Sequence, residues 1–118
     1  MTENKRKHSR FNSLNLLHIE VYENDLLVKQ GTGRTINVSE SGILLETHFL
    51  VKTESTVLVS IALKESLVEI KGKVIHTIQD SKDIYKLGIK FNPITKPDLK
   101  ILKGYIDNFT AEKNEKEI

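Results

Sequence analysis

The chain reads as a small, mostly β domain finished by one C-terminal α-helix. Three observations lead there. Apolar residues alternate with polar ones in short runs from Leu14 onward. Turn-forming residues separate those runs at regular intervals. After Phe91 the apolar period changes from two residues to about 3.6. Six short strands with links of antiparallel length make a small sandwich or a barrel. Closure into a barrel would remove the exposed edges on which other chains can pair. At 118 residues the natural organisation is one domain. A basic arm occupies residues 1–13, the folded body 14–110 and a charged tail 111–118.

Each element has its own justification. In the first strand Leu14, Leu16, His18, Glu20 and Tyr22 alternate with Asn15, Leu17, Ile19 and Val21. Glu23-Asn24-Asp25 is a turn. Leu26 to Asn37 forms a second extended segment, where Gly31 and Gly33 predict a bulge or a bend. After the polar turn from Asn37 to Gly42, Ile43–Thr47 makes the third strand and Thr56–Leu63 the fourth. The fifth has the clearest alternation: Val68, Ile70, Gly72, Val74, His76 and Ile78 share one face. Asp80-Ser81-Lys82-Asp83 turns the chain into a sixth strand, Ile84–Phe91. Thr95 then caps a helix over about residues 95–110, with Pro97 and Asp98 in its first turn. Leu99, Leu102, Ile106 and Phe109 form its apolar stripe, with Tyr105 beside it. Gly104 costs this helix about 1 kcal/mol relative to alanine, so packing on the sheet must hold it.

Composition narrows the function classes. Hydrophobic residues make up 38% and charged residues 29%, enough for one core and too polar for a membrane protein. The longest mostly apolar run, Val57 to Leu63, is far short of a membrane span, so no membrane insertion is expected. No apolar stretch of signal-peptide length follows the N-terminus, which predicts a cytoplasmic protein. The two glycosylation sequons, at Asn37 and Asn108, are therefore read as chance. Cysteine is absent, which removes disulfides, thiol nucleophiles and cysteine metal sites. His8, His18, His48 and His76 have no metal-ligand spacing, and no metal or cofactor is expected. No catalytic triad, paired-acid arrangement or phosphate loop is visible, so catalysis has no support. Net charge is only +2, too low for a generic polyanion binder.

Two stretches carry chemistry. Arg6-Lys7-His8-Ser9-Arg10 places two guanidiniums four residues apart, and a planar fork matches phosphate oxygens or the O6 and N7 acceptors of guanine. Asn37-Val38-Ser39-Glu40-Ser41-Gly42 offers an amide and a hydroxyl on alternate positions, then a glycine that permits a positive φ or close approach of a ligand. Taken singly, each has a plainer reading: a solvated basic arm and an ordinary polar turn. Taken together they hold what a guanine nucleotide requires. Phe11-Asn12-Ser13 is a short link, so the arm can fold back over the surface carrying Asn37 and Ser39.

Arg-x-x-x-Arg before a first strand, followed by Asn-x-Ser-x-x-Gly after the second, resembles the PilZ domain family. Thr35 to Ile43 looks like the family's motif strand and turn, and Leu87-Gly88-Ile89-Lys90-Phe91 is similar to its usual late strand. The resemblance runs from about Lys5 to about Phe109. It implies a six-stranded antiparallel β-barrel with a terminal helix, and binding of the bacterial messenger cyclic di-GMP. Carried across, it implies that Arg6 and Arg10 grip guanine edges and phosphates. Asn37 and Ser39 would meet a guanine's polar edge, and Gly42 would shape the turn. Asparagine at 37 offers one acceptor where the family's aspartate offers two. Lys5 would help hold a second, stacked ligand molecule. His8 is a lesser candidate for stacking on a base, and Arg34 for a phosphate contact.

The expected function is a bacterial receptor that binds reversibly, orders its arm and signals to a separate effector protein in trans. One rival is a small nucleic-acid-binding barrel. The low net charge and the few aromatics, four Phe, three Tyr and no Trp, argue against DNA or RNA. The other rival is a PilZ-like interaction module that binds no ligand.

Overall fold

A computed structural model describes residues 16–63 and 65–117. Six strands, β1 (Leu16–Glu23), β2 (Leu26–Val38), β3 (Gly42–Thr47), β4 (Thr56–Leu63), β5 (Ser66–Ser81) and β6 (Ile84–Phe91), precede one helix, α1 (Lys96–Glu117). The strands close into an antiparallel barrel in the order β1-β2-β3-β6-β5-β4, with β1 paired to β4. The barrel expectation is met, and the sandwich alternative is set aside.

The alternation seen in the sequence is what fills the interior. Leu17, Ile19 and Val21 of β1, Ile43 and Leu45 of β3, Val57, Val59 and Ile61 of β4, Val68, Ile70 and Val74 of β5, and Leu87, Ile89 and Phe91 of β6 all point inward and are buried. The residues between them face outward. The β1–β2 hairpin turns on Asn24 and Asp25, both at positive φ (52° and 66°), as a two-residue loop matched to strand twist requires.

The helix starts where the cap predicts. Asp98 N–H donates to Thr95 Oγ1 (3.4 Å) and Leu99 N–H to the Thr95 carbonyl (2.8 Å). It packs against β4 and β5. Tyr105, placed beside the stripe by sequence, is at its centre: Leu102, Tyr105 and Phe109 are buried, while Leu99 and Ile106 are half-buried. The Tyr105 hydroxyl shares a 2.7 Å hydrogen bond with the inward-facing Thr35 Oγ1 of β2, so the helix stoppers one mouth of the barrel. The helical backbone runs to Glu117 rather than ending near 110. Ala111, Glu112, Lys113 and Lys116 are good helix formers, and propensity supports the extension.

Two expectations about strand regularity are corrected. The bulges of β2 do not sit at Gly31 or Gly33 but at Val28 and Ile36, where the register with β1 and β3 slips. Gly31 instead makes room for the Phe49 ring, whose Cε2 would lie 2.9 Å from an added β-carbon. In β5 the single apolar face stops at Val74. Ile75 is a bulge residue, with Val74 opposite Ile89 and His76 opposite Gly88. The extra residue reverses the phase. His76 and Ile78 turn outward, and Thr77 turns inward to donate from Oγ1 to the Val51 carbonyl (2.7 Å).

Candidate ligand site at the β2–β3 turn

The bulge at Ile36 sets the site. Thr35 faces inward, and without the extra residue Asn37 would do the same. With it, Asn37 stands exposed on the outer face opposite Leu44, and Val38 drops into the core opposite Ile43. The Asn37 side chain is held by its own strand, since Val38 N–H donates to Asn37 Oδ1 (3.1 Å). That contact uses one lone pair of Oδ1, and the exposed amide keeps its second lone pair and its NH2 group for a ligand.

Ser39 opens the turn. Its N–H donates to the Gly42 carbonyl (2.9 Å), closing the loop. Its hydroxyl accepts from Ser41 N–H (3.3 Å) and lies 3.1 Å from the Ser41 hydroxyl, so two exposed hydroxyls are clustered at the tip. Asn37 and Ser39 are therefore both exposed, and each is held by a local hydrogen bond.

Gly42 does not use the positive φ that the sequence allowed. The space it leaves is taken by the neighbouring strand: an added β-carbon would lie 2.4 Å from the Ile89 carbonyl oxygen of β6. The motif glycine lets β3 and β6 come together directly behind the turn. Ser41 carbonyl accepts from Phe91 N–H (2.9 Å) and ties the turn to the same strand.

Beside the turn, the pairing of β3 with β6 and of β6 with β5 builds an outer surface no local pattern contains. Gly42 is opposite Lys90, which is opposite Lys73. Leu44 is opposite Gly88, which is opposite His76. Arg34, Glu46, Lys86 and Ile78 form the next row. Arg34 is committed within it: its Nε and Nη2 donate to Glu46 Oε1 at 3.0 and 2.7 Å. It is thus less available to a phosphate than a free cation would be. Lys90 is exposed and has no ion-pair partner among the described residues. Lys5, Arg6, His8 and Arg10 lie outside the described residues. Among the described residues no group of His, Asp and Glu is placed to hold a metal ion. No helix there is long and apolar enough to cross a membrane.

Comparison with known proteins agrees with this architecture. No match was found among curated proteins. Among solved structures the fold is similar to K. pneumonia MrkH in its apo state, with TM-score 0.62, 13% identity and coverage of 86% of this chain and 49% of that one. It is also similar to MrkH in a P2(1) crystal, with TM-score 0.63, 12% identity, and coverage of 86% and 47%. The chain thus spans about half the length of the MrkH chains, and at this identity the likeness concerns the fold. The PilZ domain model matches residues 4–108, which takes in the arginine pair, the asparagine–serine–glycine turn and most of the helix. With nearly the whole chain matched, the protein belongs to the PilZ domain family.

Proposed function

We propose that this chain is a receptor for cyclic di-GMP, bound through Arg6, Arg10, Asn37, Ser39 and Gly42, with Lys5 in support. PilZ domains are typically receptor modules rather than enzymes, and their family implies this messenger. The observation that carries the reading is the β2–β3 turn. Asn37 and Ser39 are exposed at one turn of a closed barrel and held by local hydrogen bonds. A guanine's N1 and N2 donors need acceptors fixed in this way. The arginine forks supply the complementary donors to phosphate and to O6 and N7. Binding closes residues 5–10 over the ligand, and part of the binding energy offsets the ordering cost. The changed surface is then read by an effector protein in trans.

Isothermal titration with cyclic di-GMP, with GTP as the control nucleotide, tests the proposal. Selective, saturable heat is expected, and its stoichiometry distinguishes one ligand from a stacked pair held with the help of Lys5. Arg6→Ala and Arg10→Ala should each weaken binding by at least tenfold, the loss expected for a charge-assisted bond of about 1.5–3 kcal/mol. Thermal unfolding should stay unchanged. Variants that lose fold and binding together would show the arginines to be structural. Absence of heat at high ligand concentration would leave a protein-interaction module.

A further inference from the structure

We infer that this chain pairs with a second copy of itself through the bare edge of β2 beside the β1–β2 hairpin, antiparallel and with Leu27 on the two-fold axis. The inference stands apart from the cyclic di-GMP reading, and the edge lies at the end of β2 away from the turn at Ser39. Closure of the ring leaves this edge uncovered. β2 pairs with β1 over residues 26–34, but with β3 only over residues 34–38. Toward the hairpin, Thr47 Oγ1 donates to the Thr32 carbonyl (3.3 Å), and no loop backbone bond reaches residues 26–30 among the described residues. Glu23 stands opposite Leu26 across the two-residue turn, and Tyr22 opposite Leu27. In such a hairpin the pair next to the turn exchanges hydrogen bonds and the following pair does not. The Leu27 N–H and C=O therefore point away from β1, to the uncovered side.

The same edge is apolar. Leu26, Leu27 and Val28 are exposed in succession, at 69%, 45% and 45%. A strand lying on the barrel would bury alternate residues, so the hairpin overhangs the mouth. Exposed Leu50 extends the patch, since it lines a cavity together with Val28. What identifies the occupant is that the edge is complementary to itself run backwards. Antiparallel pairing about Leu27 sets Leu26 opposite Val28 of the second copy, and Asp25 opposite its Lys29. Asp25 has no ion-pair partner among the described residues. Opposite charges across a ladder favour pairing. Moving the axis by half a step either way sets Lys29 against Leu26 or Asp25 against Val28, so charge fixes the register. The bulge at Val28 and the charge of Lys29 keep the ladder short. Each copy spends its edge on the other, so the assembly closes at two. The contact is small, below the ~1,200 Å² of a standard interface, and belongs to the weak class.

Two measurements on the full chain, without nucleotide, test the pairing. Sedimentation equilibrium should show wild type passing from monomer to dimer below about 1 mM, as a weak interface requires. Leu27→Lys, which sets two cations face to face on the axis, should remain monomeric. Its melting midpoint at low protein concentration should match wild type, because the side chain it replaces is exposed. The second measurement uses the absence of cysteine from the chain. Residues facing each other in a hydrogen-bonded antiparallel pair have α-carbons about 5.5 Å apart, within disulfide range. Leu27→Cys should therefore oxidise to a covalent dimer. Leu67→Cys, in an exposed position on β5, is the control and should stay largely monomeric. If Leu27→Lys lowers the melting midpoint, the cysteine pair decides alone. Wild type that stays monomeric to about 1 mM overturns the inference and leaves the edge to a different protein. A dimer that survives Leu27→Lys, or equal cross-linking of the two cysteine variants, overturns it as well.

Discussion

Replacing Gly42 by alanine should damage the fold before it damages recognition. The new β-carbon would sit 2.4 Å from the Ile89 carbonyl oxygen. A carbon–oxygen contact is comfortable at about 3.3 Å, so β3 and β6 must separate by roughly 0.9 Å. Neither strand is free to yield. On its other side β6 is pressed against Gly72, where an added β-carbon would meet the Lys90 carbonyl at 2.6 Å. Retreat therefore stretches the Phe91 N–H to Ser41 carbonyl bond, now 2.9 Å. Overpacking of this kind costs about 1–3 kcal/mol and a lost backbone bond about 1 more, for a total of about 2–4 kcal/mol. That is a large part of the 5–15 kcal/mol typical of a domain. In urea unfolding followed by circular dichroism, the midpoint should fall by about 1–2 M at a slope typical of small domains. Gly31→Ala is the control. Its β-carbon meets only the Phe49 ring edge at 2.9 Å, a side chain able to swing, and it should cost about 1 kcal/mol or less. A Gly42→Ala midpoint within about 0.2 M of wild type would refute the reasoning and return the glycine to a purely ligand-facing role.

Other outcomes follow from single contacts. Tyr105→Phe leaves the buried Thr35 hydroxyl without its 2.7 Å partner and should cost about 1–3 kcal/mol, read as a lowered unfolding midpoint. Glu54 holds φ at 74°, a conformation costly for any residue with a β-carbon, while its 3.4 Å ion pair with Lys73 is exposed. Glu54→Gly should therefore match or exceed wild-type stability, by up to about 1 kcal/mol in urea unfolding. The Tyr22 hydroxyl donates to Glu20 Oε1 at 2.7 Å, and that bond, followed by partial desolvation and the carboxylate's charge, raises its pKa above 10.0. The raised value favours the neutral phenol, so this contribution is complete below the ordinary tyrosine range and is lost as pH climbs through the folded value. Ultraviolet difference titration should show the Tyr22 phenol, assigned with Tyr22→Phe, ionising later than in Glu20→Gln.

The architecture was legible wherever a local period carried it. Alternation in β1, β3, β4 and β6 located the strands, and Thr95 with its apolar stripe located the helix. What stayed hidden depends on contacts between distant segments. Nothing in Arg34-Thr35-Ile36-Asn37 announces a bulge at Ile36, because that residue is defined only by the strand it fails to match. The same holds at Ile75, where a run that looked uniformly alternating changes phase and turns His76 outward. The glycines were visible, but their meaning was not. Gly42 answers to β6, far away in sequence, and Gly31 to a ring in the loop after β3. Of the candidate site, Asn37 and Ser39 were readable from spacing. The outer-face neighbours Lys90, Gly88 and His76 were not, since a strand order that sets β6 beside β3 is needed to bring them near the turn.

A closed ring of strands also limits how a message can leave. Sliding one strand by a residue would break its two ladders and force every inward side chain out, so the ring has no low-cost second register. It behaves as a rigid anvil. Among the described residues, whatever a ligand changes must be carried by parts not woven into the ring: the turn tips and the free surface of α1. An effector reading this protein would then detect something laid on the barrel rather than a barrel that has changed shape.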